Sequence, residues 1–279
     1  MAGVRIVTDS SCDLDEADTT ALDIGVVPLS IRFGDDEYVD REELDVERFY
    51  SLMHSTGLLP ETAAPSPGRF EQAFRDARDA GADTVVCINL SSALSATMQS
   101  AQAAARALEG ELDVRVVDSR SITGGLGTMV LEAATMARDG ADADAVVARV
   151  ESMIPRTDIY GALNTLDNLK KGGRIGGAQH LLGSMLSVKP LIRIVDGAVE
   201  EAGKPRTRRR ALEALRDKLY EAGEVESLSI LHGEADDIDD FLDMISERYP
   251  RDTIRLGKIG AVIGSHGGPA VIGICYLRP

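Results

Sequence analysis

Thr84-Val85-Val86-Cys87-Ile88-Asn89-Leu90-Ser91-Ser92-Ala93-Leu94-Ser95-Ala96-Thr97 is the stretch whose reading decides the fold. Its first half is an apolar, β-branched run, the pattern of a strand buried on both faces of a parallel sheet. An alanine-rich helical segment to Leu108 follows at once, with Ser95 placed as its N-cap. A strand-to-helix turn of this kind sits at the carboxyl edge of the sheet, where ligands bind and free backbone N–H groups attract anions. Capping its own helix would also explain Ser95 fully, so both readings stand at this point.

The same alternation extends in both directions. Val4 to Thr8 reads as a short buried strand, with Asp13 placed to cap a helix through Leu22. Ile24 to Phe33 is strand-like, and Asp45 starts a helix carrying Phe49, Leu52 and Met53 on one face. Ser66-Pro67 supplies an N-cap and a first-turn proline for a helix with Phe70 and Phe74 inward, followed by Gly81. Val114 to Val117 is a further strand and Gly127 to Arg138 a further helix. This order predicts a parallel sheet with helices on both faces.

After a helix at Ala143 to Met153, Pro155 marks a plausible boundary. Strand-like pieces follow at Ile159–Leu163, Val188–Val195, Leu228–Leu231, Thr253–Leu256 and Ala270–Leu277, several linked by turns. They predict a mixed or mostly antiparallel sheet, covered by helices near Thr207–Tyr220 and Asp237–Arg248. The expected fold class is therefore α/β with two domains, residues 1–155 and 156–279, and a ligand in the cleft between them.

Composition narrows the function classes. The chain has 279 residues, 44% of them hydrophobic and 4% aromatic. No apolar run approaches the ~18 residues that span a bilayer. The N-terminus lacks the pattern of a signal peptide, so a cytoplasmic location is expected. A formal charge of −16 argues against nucleic acid and anionic membrane surfaces as partners. Cys12, Cys87 and Cys275 are widely spaced and read as reduced thiols, and four scattered histidines make a metal site unexpected.

Four places stand out chemically. Gly260 to Ala270 reads Gly-Ala-Val-Ile-Gly-Ser-His-Gly-Gly-Pro-Ala, which puts His266 in a glycine-rich loop where an imidazole can meet an anion. Thr62 lies between Pro60 and Pro65, in what reads as a stiffened, extended loop. Arg174 stands among four glycines in Lys170-Lys171-Gly172-Gly173-Arg174-Ile175-Gly176-Gly177, a basic spot on an acidic protein. Ser95 is the fourth. Each also has a plain explanation, as a turn, a loop or a cap. A second basic cluster, Lys204, Arg206, Arg208, Arg209 and Arg210, opens a helix whose macrodipole it opposes, which suggests an acidic partner or phosphates unless it is simply a solvated face. No GxSxG elbow, P-loop or GxGxxG pattern is present.

Taken together, these segments resemble the DegV family along essentially the whole chain. The matching elements are Thr8-Asp9-Ser10-Ser11-Cys12-Asp13-Leu14, Val27-Pro28-Leu29, Tyr38-Val39-Asp40, Thr62 with Pro65-Ser66-Pro67, and Leu94-Ser95-Ala96-Thr97. Asp118-Ser119, Leu169 to Ile175, Lys189-Pro190 and His266-Gly267-Gly268-Pro269 complete the series. The characterised members of that family are fatty-acid-binding subunits of bacterial fatty acid kinase. The resemblance implies that Thr62, Ser95 and His266, with Arg174, hold a fatty-acid carboxylate. Ala96 stands where the family usually has glycine, and His-Gly-Gly-Pro-Ala where His-Thr-Gly-Pro-Gly is typical. These departures put a methyl near the ligand and remove a hydroxyl and some backbone freedom.

The resemblance implies a non-catalytic protein without a cofactor. It would bind a long-chain fatty acid in an aliphatic tunnel and present the carboxylate to a separate ATP-dependent kinase for acyl-phosphate formation. Arg174, Arg206, Arg208, Arg209 and Arg210 are the candidate docking residues. At about 0.8 kcal/mol per buried methylene, a chain of roughly 14 to 18 carbons would contribute on the order of 10 kcal/mol before costs. The competing readings are an acyl hydrolase or transferase using Ser95 with His266, and a lipid carrier or sensor with no kinase.

Overall fold

The computed structural model describes residues 3–180 and 188–279. The chain starts with β1 (Gly3–Asp9), a 3-10 turn at Ser10–Cys12, α1 (Glu16–Ala21) and β2 (Gly25–Val27). A hairpin, β3 (Ser30–Phe33) and β4 (Asp36–Val39), then precedes α2 (Val46–Thr56), β5 (Glu61–Ala63) and α3 (Pro67–Asp79). Next come β6 (Ala82–Asn89), α4 (Thr97–Ala107), β7 (Asp113–Asp118), α5 (Thr123–Arg138) and α6 (Ala143–Met153).

The expected parallel sheet is present, with strand order β2-β1-β6-β7 and every pair parallel. The pleat of β6 divides its apolar run between two cores. Val85 and Cys87 pack with Phe70, Phe74, Ala101 and Ala104 of α3 and α4. Val86 and Ile88 pack with Leu126, Met129 and Val146 of α5 and α6. Apolar side chains on both faces are what an uninterrupted apolar strand requires.

The remainder of the chain forms β8 (Thr157–Ala162), α7 (Asp167–Lys171), β9 (Leu191–Val195), β10 (Ala198–Gly203) and α8 (Arg208–Ala222). It ends with β11 (Ser227–His232), α9 (Ile238–Ile245), β12 (Arg255–Lys258), α10 (Ala261–Gly267) and β13 (Ile272–Leu277). These strands make a six-stranded mixed sheet in the order β10-β9-β8-β13-β11-β12, antiparallel except for β11 with β12. On one face Ile230, Ile272 and Ile274 pack under Leu212, Leu215 and Phe241 of α8 and α9. The other face, carrying Ile159, Leu231 and Val271, looks toward α7, α10 and the start of α5.

Several local expectations are corrected. Asp13 does not cap α1: it ends the preceding 3-10 turn in a left-handed conformation, and Asp15 caps α1 by accepting from the N–H of Asp18. The strand expected over Ile24–Phe33 breaks around Pro28, so β2 joins the parallel sheet while β3 joins a separate three-stranded sheet, β4-β3-β5. Thr62 lies not in a loop but on β5 of that small sheet, opposite Ile31. Helix α4 starts at Thr97 with Ala96 at its N-cap, so Ser95 is outside the helix. Helix α5 begins four residues before Gly127. The glycine-rich segment around His266 is not an open loop, because its first part closes into α10.

Candidate functional site

Helix α10 carries the histidine. Its N-cap is Gly260, whose N–H donates to a carboxylate oxygen of Asp13 at 3.0 Å, while Thr123 Oγ1 donates to the other oxygen at 2.6 Å. Buried Asn168 of α7 donates to the Ser265 carbonyl at 2.9 Å and holds the other end. These ties place His266, in the last turn, with Nε2 3.0 Å from Thr62 Oγ1 of β5. Its Nδ1 is buried, has no partner among the described residues, and lies against the Cα of Gly172.

Burial, and then the positive charge of Arg174, push the imidazole down to about 4, so the ring is neutral at neutral pH. A buried N–H without an acceptor is rarer and costlier than a buried lone pair. That assigns the proton to Nε2, which donates to Thr62 Oγ1 and frees the threonine O–H to donate elsewhere.

Arg174 joins the two sides of the site. Its Nε donates to the Leu94 carbonyl at 3.0 Å and its Nη1 to the Gly172 carbonyl at 2.6 Å. The first contact grips the turn bearing Ser95, and the second grips the glycine behind the His266 ring. Gly173 and Gly176 supply positive φ angles on either side. Ser95 Oγ lies 2.9 Å from Thr97 Oγ1 and accepts from the Thr97 N–H at 3.3 Å, at the free N–H end of α4. Ser95 and His266 are not hydrogen-bonded to each other, and a ring titrating near 4 is a weak base. This arrangement does not form a Ser–His nucleophile pair.

Thr62, Ser95, Arg174 and His266 all line one cavity, whose remaining wall is mostly aliphatic, including Leu94, Ile122, Val262 and Ile263. Its volume is ≈ 90 Å³. The result is a largely apolar space carrying two hydroxyls, a neutral imidazole and a guanidinium, with Thr123, Tyr160 and Arg193 elsewhere on its wall.

The second basic cluster is separate from this cavity. Arg208 is engaged, donating to both oxygens of Asp237 at 2.8 and 2.9 Å and to the Ala162 carbonyl at 3.3 Å. Arg209 and Arg210 are exposed and, among the described residues, pair only with Glu213 of their own helix, and Arg206 is exposed beside them. Sequence reasoning missed Thr123, whose neighbourhood to Asp13 is purely tertiary. It also missed Gly161 and Gly273, although glycines inside β-branched strand patterns were a readable sign.

The fold and this cavity define an α/β protein with a largely aliphatic pocket lined also by Thr62, Ser95, Arg174 and His266. The DegV profile, described as "Uncharacterised protein, DegV family", matches residues 3–278, and the chain belongs to the DegV family. A DegV domain-containing protein of Listeria monocytogenes, lmo2514, is 32% identical over 98% of both chains. Among solved structures, a DegV family protein of Thermus thermophilus described by its fatty acid binding superposes with TM-score 0.90 at 32% identity, covering 99% of this chain and 100% of its own. A stearic acid-binding protein of Eubacterium ventriosum superposes with TM-score 0.88 at 26% identity, covering 100% and 98%. No helix of the described residues is long and apolar enough to cross a membrane.

Proposed function

We propose that this protein binds a long-chain fatty acid, with the acyl chain in the aliphatic cavity and the carboxylate at Thr62, Ser95, His266 and Arg174. The observation that carries this reading is a largely aliphatic cavity on which the donors of Thr62, Ser95, Arg174 and His266 converge, with Thr123, Tyr160 and Arg193 also on its wall. Buried carboxylates need such donors, because an unpaired buried charge costs several kcal/mol. The free Thr62 hydroxyl, the Ser95 hydroxyl and the N–H groups opening α4 supply them, and Arg174 supplies the opposite charge. The fatty-acid binding described for the Thermus and Eubacterium proteins supports the same ligand class.

Thr62 and Ser95 come from residues 1–155 and Arg174 and His266 from residues 156–279, so the site spans the boundary of two domains in this reading. A partner would reach the head group there. In this reading, which the resemblance to fatty acid kinase subunits supports, that partner is an ATP-dependent kinase that forms an acyl phosphate in the cytoplasm. Exposed Arg206, Arg209 and Arg210, with Arg174 nearer the site, are the docking cations of this reading.

Mass spectrometry of the purified protein, native and then after solvent extraction, tests the ligand. One equivalent of long-chain fatty acid, lost in the Thr62→Ala/His266→Ala double variant, is the expected result. A protein always empty, and unable to take up added fatty acid, would overturn it. For docking, Arg209→Glu is expected to impair kinase-dependent phosphorylation with lipid binding intact; loss of lipid binding in that variant would refute the assignment.

A further inference from the structure

Residues in register across the six-stranded sheet form a row on its cavity face: Ile192 of β9, Gly161 of β8, Gly273 of β13 and Leu231 of β11. The two glycines stand directly opposite each other on neighbouring strands, about 5 Å apart. Both line the cavity, as does Ile192. The row is therefore a trough: two positions without side chains beside the aliphatic wall of Ile192, while Leu231, next in the row, borders a separate cleft. Ile122 and Ile263 line the same space from the α5 and α10 side.

Neither glycine is required by its backbone or by its neighbours. Both lack the positive φ that favours glycine. A Cβ at Gly273 would meet only backbone oxygens, at 3.6 and 3.8 Å, and one at Gly161 would touch Leu163 at 3.4 Å and Ile192 at 3.5 Å. Those are ordinary contacts. By contrast, a Cβ on Gly25 of the parallel sheet would press on Val7 at 3.1 Å, so that glycine is accounted for by crowding. A strand glycine gives up conformational entropy and packing, and where neither strain nor crowding explains it, close approach of another group does.

We propose that Gly161 and Gly273 form the floor of the acyl channel and select the chain it accepts, by leaving room for methylenes to lie across the sheet beside Ile192. This rests on the fatty-acid reading above. Chains long enough to reach the trough need both positions bare, whereas chains ending short of it do not.

The test compares wild type with Gly273→Val, Gly273→Ala and Gly161→Ala, each stripped of lipid. Gly257→Ala serves as control, because Gly257 lies in the same row on edge strand β12 but outside the cavity. Dissociation constants are measured for saturated fatty acids of increasing chain length, with thermal melting of the lipid-free proteins. Gly273→Val is expected to weaken the longest chains about 15- to 60-fold, the loss of two to three buried methylenes, and to spare the shortest that bind. Gly273→Ala and Gly161→Ala are expected to shift the preference the same way, less strongly, with melting temperatures unchanged or raised. The control is expected to bind as wild type does.

Wild-type affinities at every length in folded Gly273→Val would overturn the proposal and leave the fatty-acid reading intact. An equal loss at all lengths together with a lowered melting temperature would also overturn it, as general damage. A wild-type protein that takes up no fatty acid would remove the reading itself, and this inference with it.

Discussion

Replacing Gly172 with alanine isolates the contact that seats the imidazole. Gly172 has φ −69° and ψ −8°, a conformation any residue adopts, so the backbone itself does not resist a side chain. Taken alone, Gly→Ala at such a position stabilises by about 0.4–1 kcal/mol through the unfolded chain. Here the new methyl would collide with His266 Nδ1, stand 2.7 Å from Cε1 and lie 3.2 Å from the Asn168 carbonyl oxygen. The ring cannot simply retreat, since its other nitrogen is already 3.0 Å from Thr62 Oγ1. It must swing aside and give up that hydrogen bond, at about 0.5–1.5 kcal/mol, together with some packing. Gly172→Ala is therefore expected to destabilise the lipid-free protein by roughly 1–2 kcal/mol. In a His266→Ala background the obstacle is gone, and the same change is expected to be neutral or stabilising. A double-mutant cycle by urea denaturation reads the coupling directly. If Gly172→Ala costs the same with and without the imidazole, the glycine is not there for His266 and the account of the site's geometry fails.

Two further outcomes follow from the same structure. Ala270 has φ +58°, a region that costs an L-residue about 1–2 kcal/mol. Ala270→Gly is expected to stabilise by up to about 1 kcal/mol, after allowing for the freer unfolded chain, and an unchanged or lower denaturation midpoint would refute this. Burial pushes the Asp13 carboxyl up to about 7, so between pH 4 and 7 the folded protein keeps a proton that the unfolded chain, titrating near 3.8, has lost. Its contribution is thus complete below about pH 4 and is lost as pH rises through 7. His266, neutral when folded down to about 4, works in the opposite direction, so the readout is the difference between wild type and Asp13→Asn. That difference is expected to change across pH 4–7 and to be flat above; a difference independent of pH would refute the assignment.

Much of the fold was legible because burial leaves a mark on the chain itself. A strand covered on both faces, such as β6, is apolar at nearly every position, and the alternating strands and helices around it imply a parallel sheet. The helix from Ala143 to Met153 and the cap at Asp45 were read at the residues where they occur. Failures arose where the deciding partner lies far along the chain. Asp13 looks like a cap because aspartate near a helix start is one, yet its partners are Thr123 and Gly260. The run from Ile24 to Phe33 is strand-like throughout, and only the packing of two sheets decides that it divides around Pro28.

By itself the sequence determined the α/β class, the alternation that builds the parallel sheet, the mixed character of the second sheet, and which four polar residues were worth watching. Each of these depends on periodicity or composition within a short window, which local sterics and burial dictate. The tertiary structure decided what the four residues do to one another. Thr62 and His266 are 204 residues apart, and their 3.0 Å contact exists because a small three-stranded sheet and a seven-residue helix are held edge to edge. It also decided that Gly172 is a seat for a ring and that Gly161 and Gly273 face each other across two strands. Such facts depend on register and on packing between distant segments, and no local pattern records them.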